Sequence, residues 1–122
     1  MAKLSAHGTE LFRYLEIDGR LRSVRSDGTI LVRSVYRGWK LRARKKPEIP
    51  LEEWIKRKLE ARDKVLASEE AWRMQVKSLP SMKTLERWQF DSVCEAVDGC
   101  TVEPDGTCPH GTPSWLRALR LI

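Results

Sequence analysis

Three cysteines and a histidine, Cys94, Cys100, Cys108 and His110, fall in one short stretch with the spacing C-x5-C-x7-C-x-H. Thiolate and imidazole are the donors that zinc gathers four at a time in a tetrahedron, and structural zinc sites often take two ligands from a tight turn. A turn at Pro104–Gly106 would bring Cys100 and Cys108 together, with His110 beside Cys108. Cys94, read as lying near the end of a helix, would complete a Cys3His set. The spacing departs from the familiar C-x2-C pairs, and C-x-H is a tighter pair than most. Two other states fit the same residues: unligated thiols packed as small apolar groups, or a Cys100–Cys108 disulfide. Four protein ligands would close the site, and the H-x-E…P-C-x-x-C pattern of nucleotide deaminases is missing, so a metal here would be structural.

The second set of candidate residues is cationic. The chain has 122 residues and a net charge of +6, and residues 1–47 hold 12 Lys and Arg against four acids. Residues 48–100 lean acidic and residues 101–122 are balanced, so the basic character belongs to the first third. Such segregation speaks of partners rather than of fold. Arg22, Arg25, Arg33, Arg37, Lys40, Arg42, Arg44, Lys45 and Lys46 are interleaved with aromatic side chains, Tyr36 and Trp39 among them. Cations on an exposed sheet face suit a phosphate backbone, with rings on which bases can stack. Arg in preference to Lys favours bidentate recognition of phosphate or carboxylate. The competing reading is a solvated face in which Arg and Lys blunt a sheet edge and acids of the same chain neutralise part of the charge. Trp39 is assigned to the core.

The elements that must position these groups can be read from pattern. Asp18-Gly19 and Asp27-Gly28 are hairpin dipeptides, and the segments around them, TELFRYLEI, RLRSVR and TILVRSV, are rich in β-formers. In WKLRARKK, Trp39, Leu41 and Ala43 alternate with Lys40, Arg42 and Arg44. This predicts an antiparallel meander of three or four strands over residues 1–47, one face in the core and one in water. Residues 48–98 are expected to be helical. Pro50 with Glu52 and Glu53 opens a first helix, and Ser68 caps a second that carries Trp72, Val76 and Leu79. Ser81 caps a third, with Leu85, Trp88, Ser92, Val93 and Ala96 facing inward until Asp98-Gly99 stops it. Residues 99–122 form a turn-rich segment and a short terminal helix, SWLRALRLI, docked on the body. The fold class is α+β in a single domain, 1–122.

Composition narrows the function classes. No apolar run is long enough to span a bilayer, and the opening residues lack a basic segment followed by an apolar one. Three cysteines without an export signal fit a reducing cytoplasm, which disfavours the disulfide. Neither G-x-x-x-x-G-K-[ST] nor G-x-G-x-x-G occurs, and neither His7 nor His110 sits in a nucleophile–base motif. His7 beside Gly8 reads as a turn residue.

Two stretches carry a resemblance. SAHGTELFRY…RSDGTILVRS…GWKLRARKKPE resembles the openings of small uncharacterised proteins encoded by bacteriophages and their bacterial hosts. CTVEPDGTCPHGTPSWLRALRLI resembles the closing segment of short phage- and plasmid-borne proteins, whose end reads closer to LGLI, so Arg120 departs from the pattern. Together these stretches cover roughly half of the chain. The resemblance implies a phage or mobile-element protein in the cytoplasm of a bacterial host, and it carries over no catalytic residue. The expected function is non-enzymatic binding of nucleic acid or another polyanion through the Arg-rich sheet face. The alternative is an anti-defence inhibitor, of the anti-CRISPR kind, that binds a nucleic-acid-handling host protein. An enzyme using Cys108 or His110 is the third reading.

Overall fold

The computed structural model describes residues 3–122. A four-stranded antiparallel sheet in sequence order comprises β1 (Glu10–Leu15), β2 (Leu21–Arg25), β3 (Thr29–Arg33) and β4 (Lys40–Arg44). Helix α1 (Leu51–Leu66) follows, then a 3-10 turn (Ala71–Gln75), helix α2 (Met82–Asp91), a two-stranded ribbon of β5 (Cys94–Glu95) and β6 (Thr101–Val102), and the short helix α3 (Trp115–Ala118). The α+β class and the meander agree with the sequence pattern.

The sheet is covered on both sides, which the alternation pattern did not anticipate. Leu21 and Val24 lie three residues apart on β2, so their side chains point to opposite faces. Leu21 and Leu15 join one core with Val76, Leu85, Cys94, Trp115, Leu116 and Leu119. Val24 and Ile30 join another with Trp54 of α1. The buried centre explains why TILVR reads as a nearly unbroken apolar run, as strands covered on both faces do. The edge strand β4 is the exception. All five of its residues are exposed, Leu41 and Ala43 included, and only the neighbouring Trp39 packs against the core.

Two helices differ from expectation. The segment after Ser68 makes only the 3-10 turn before Val76 turns extended. Arg73 is the cause: it is 7 % exposed, stacks on Trp72 at 4.5 Å and donates to the carbonyl of Leu15 at 3.0 Å, which pins this segment to β1. Trp72, Val76 and Leu79 do reach the core, but from a strap. Helix α2 begins at the Ser81 cap, whose hydroxyl accepts from the Thr84 N–H at 3.2 Å, and ends at Asp91 with Ser92 left-handed (φ 57°). Asp98-Gly99 is therefore not a helix stop. It is a hairpin turn between β5 and β6, with Gly99 at φ 95° where a side chain would be strained.

The terminal segment docks as expected. Leu116 is fully buried and Leu119 nearly so. Ser114, also fully buried, caps α3 by accepting from the Arg117 N–H at 3.1 Å and donates its own proton to the Pro104 carbonyl. That hydroxyl thus ties the Pro104–Gly106 turn to the last helix.

Candidate metal centre and basic edge

Two tight turns build the cysteine site. In the first, the Ala96 N–H donates to the Cys100 carbonyl at 2.6 Å, and the Cys100 N–H donates to Asp98 Oδ1 at 3.1 Å. In the second, the Cys108 N–H donates to the Thr112 carbonyl and the Gly111 N–H to the Cys108 carbonyl, both at 2.9 Å. The turns face each other and each offers two donors at a spacing of two: Asp98 with Cys100, Cys108 with His110. His110 Nδ1 lies 3.5 Å from Cys100 Sγ, 3.7 Å from Cys108 Sγ and 3.2 Å from Asp98 Oδ2. Asp98 Oδ2 is 3.6 Å from Cys100 Sγ and 3.2 Å from Cys108 Sγ. All four donor atoms lie within 4.8 Å of one another, and the group can hold a metal ion.

The fourth residue of the cluster is Asp98, not Cys94. Cys94 is 1 % exposed, sits in the core among Leu85, Leu116 and their neighbours, and its thiol meets the Glu95 carbonyl. It plays the part of a small apolar residue. The expected Cys3His set rested on Cys94 ending a helix; as a strand residue opposite Val102 it has its own place to fill. The repeated spacing, D-x-C and C-x-H, is the signal that would have found Asp98.

Hydrogen bonding sets the charges in this cluster. Burial pushes the Asp98 carboxyl upward, but hydrogen bonds from the Cys100 N–H and both thiols, with His110 close by, outweigh it and hold the group below the ordinary aspartate value. Burial, followed by the Asp98 and Cys108 side chains, pushes the Cys100 thiol up to about 11. All three cysteines are free thiols, so the disulfide is not formed.

The basic residues divide into two groups. Arg25 is buried and donates to the carbonyls of Leu4, His7 and Gly8 at 2.9–3.1 Å and to Glu10 at 3.4 Å. It holds the N-terminal segment to the sheet and is not available to a partner. Arg22 donates to Glu16 at 2.6 Å and borders the α1 side, beside Lys58, whose pKa is lowered by burial and then by Arg22. The remaining seven, Arg33, Arg37, Lys40, Arg42, Arg44, Lys45 and Lys46, make no salt bridge among the described residues.

Those seven follow an edge rather than a face. Lys40 pairs with Val32 and Arg44 with Thr29, which places them on opposite sides of the sheet. A register shift between Ile30 and Leu31 leaves Arg42 as the extra residue of a bulge. Arg33, Arg37 and Lys40 meet at the end of the strand pair, in a cleft of about 450 Å³ that Leu119 and Leu121 also line. None of the described helices is long and apolar enough to cross a membrane. Comparison with family models, with curated proteins and with solved structures finds no match.

Proposed function

We propose that the protein is a non-enzymatic binding module that lays a polyanion, nucleic acid above all, along β4 and the β3–β4 turn. The observation that carries this reading is the contrast in pairing: the inner strands match Arg13, Arg22 and Arg25 with Glu10 and Glu16, whereas seven cations at the edge make no salt bridge among the described residues. An unmatched row of cations lowers its electrostatic cost by taking up phosphates and releasing their counterions.

Binding of labelled single-stranded and duplex DNA and RNA, followed by anisotropy over a range of salt, tests it. Affinity should fall steeply with salt, with a slope of about −0.7 per phosphate contacted on a single strand. Arg42→Glu with Arg44→Glu should weaken binding to every sequence alike. A protein that ignores free nucleic acid but forms a stable complex with an anionic host protein, as the anti-defence alternative expects, would displace this reading.

The same proposal makes the double turn a structural zinc site. With Zn–S of about 2.3 Å and Zn–N or Zn–O of about 2.0–2.1 Å, a tetrahedron has S–N and S–O edges of about 3.5 Å and an N–O edge of about 3.3 Å. The separations of 3.2–3.7 Å between Asp98, His110 and the two sulfurs have that size. Four protein donors leave no open position for a substrate, so the metal would staple residues 98–110 rather than do chemistry. Metal content of protein purified under reducing conditions decides this: a single zinc per chain is expected, and metal-free protein with chelator-insensitive stability would end the idea.

A further inference from the structure

We propose that the cleft at the end of β3 and β4 binds one unpaired nucleotide of a nucleic-acid strand, its phosphate on Arg33 and its base on Tyr36. This rests on the polyanion reading above and adds to it a specific site and a preference for single strands.

The first argument is an unmet hydrogen bond. The Nε of Arg33 is buried and has no partner. A buried guanidinium N–H left unsatisfied is costly, and native structures rarely keep one without a purpose. Arg33 lines the cleft together with Arg37 and Lys40, and none of the three makes a salt bridge among the described residues. Asp18 and Arg20 also border it, but they face each other at 3.7 Å. The cleft therefore presents three uncompensated cations, one of them with a donor already stripped of water. A phosphate entering the cleft meets the Arg33 guanidinium, whose planar fork is suited to hold it in two-point fashion once the side chain turns its buried Nε toward the oxygen.

The second argument concerns shape. A cavity of about 450 Å³ falls within the range of small-ligand sites, which combine apolar walls with a few placed polar groups. Leu119 and Leu121 supply the apolar wall. That wall is anchored, since the Leu121 N–H donates to the Leu116 carbonyl at 2.9 Å and Gly19 packs so closely on Leu119 that a Cβ there would meet its carbonyl at 3.1 Å.

Tyr36 borders the opening and is 69 % exposed. Its turn is held by the Ser34–Arg37 backbone pair and by the Tyr36 N–H donating to Ser34 Oγ at 3.2 Å. An exposed ring on a fixed turn, next to an anion site, is an arrangement that stacks a base. A base inside a duplex cannot reach it, so the cleft selects unpaired nucleotides.

The test uses the intact protein with fluorescein-labelled oligo(dT), oligo(U) and an oligo(dT)–oligo(dA) duplex. Tyr36→Ala should weaken binding of the single strands about tenfold, the size expected for loss of one stacked base, and leave the duplex unaffected. Tyr36→Phe should bind like wild type. Arg33→Gln should reduce the salt slope for single strands by about one; circular dichroism checks that it folds, and Arg37→Gln is the substitute if it does not. Equal weakening of single strand and duplex by Tyr36→Ala, or no weakening at all, overturns the proposal. If Arg42→Glu with Arg44→Glu abolishes binding while the Tyr36 and Arg33 variants bind normally, the cleft is wrong and the polyanion reading stands. If wild type binds none of the probes, both fall.

Discussion

Glu10 in the sheet and Asp98 in the double turn are both carboxylates that accept several hydrogen bonds, yet they keep different company. Glu10 accepts from Arg13, from the Ser23 hydroxyl at 2.6 Å and from Arg25. Asp98 faces two thiols and an imidazole, and it makes no salt bridge with Lys or Arg among the described residues. The Glu10 network is thus complete as it stands, while the double turn gathers donors that would repel one another once ionised unless a cation joined them. At the β4 edge the imbalance has the opposite sign. The lesson is that charge left unmatched in a fold that matches its other charges with care marks where something else belongs.

The largest effect should come from the double turn. Removing zinc by chelation, or replacing Cys108 by Ser, should cost at least about 3 kcal/mol of unfolding free energy; this is a fraction of the roughly 10–16 kcal/mol that zinc contributes to peptides lacking any other core. Asp98→Asn should lower zinc affinity in a metal titration, whereas Cys94→Ala should keep the metal and show only the small loss of a core filler. A zinc site lost with Cys94 and retained without Asp98 would break the comparison.

Arg25 comes next. Replacing it with Met should destabilise the domain by about 3 kcal/mol in urea unfolding, because Glu10 and three carbonyls lose their donor. Arg42→Glu with Arg44→Glu sits on an exposed strand and should change stability by no more than about 0.5 kcal/mol while reducing affinity for nucleic acid. Similar unfolding costs for the two arginine sets would erase the distinction between inner and edge cations.

The smallest effect is acid sensitivity. Burial raises the Glu10 pKa, but the Ser23 hydroxyl and the Arg13 and Arg25 guanidiniums outweigh it and leave the value below 4.5. A carboxyl whose folded pKa is depressed stabilises the fold above the unfolded value and loses that contribution as pH falls through the folded one. Stability should therefore decline below about pH 4.5, and Glu10→Gln should flatten this part of the decline. An unchanged acid limb in the variant would show that Glu10 does not hold the network.

Much of this was legible in residues alone. Asp18-Gly19 and Asp27-Gly28 marked the hairpins, Pro50 with Glu52 and Glu53 marked α1, and Ser81 marked the start of α2. The misread segments share a cause: their patterns satisfy two periods, and a distant partner chose between them. Trp72, Val76 and Leu79 fit a helix, but Arg73 needed the Leu15 carbonyl. Cys94 and Ala96 fit a continued helix, but the β5–β6 pairing claimed Cys94 and a bridge to Ser114 claimed Ala96.

Local chemistry determined the strand turns, the helix starts, the basic first third and the closeness of Cys100, Cys108 and His110, because each depends on neighbours a few residues away. Tertiary structure alone decided that Asp98 replaces Cys94 in the donor set, that Arg22 and Arg25 are spent on internal acids and carbonyls, and that Arg33 meets Tyr36 and Leu121 around one cleft. Those outcomes depend on which groups, far apart along the chain, leave water together, and burial of that kind is a property of the packed molecule.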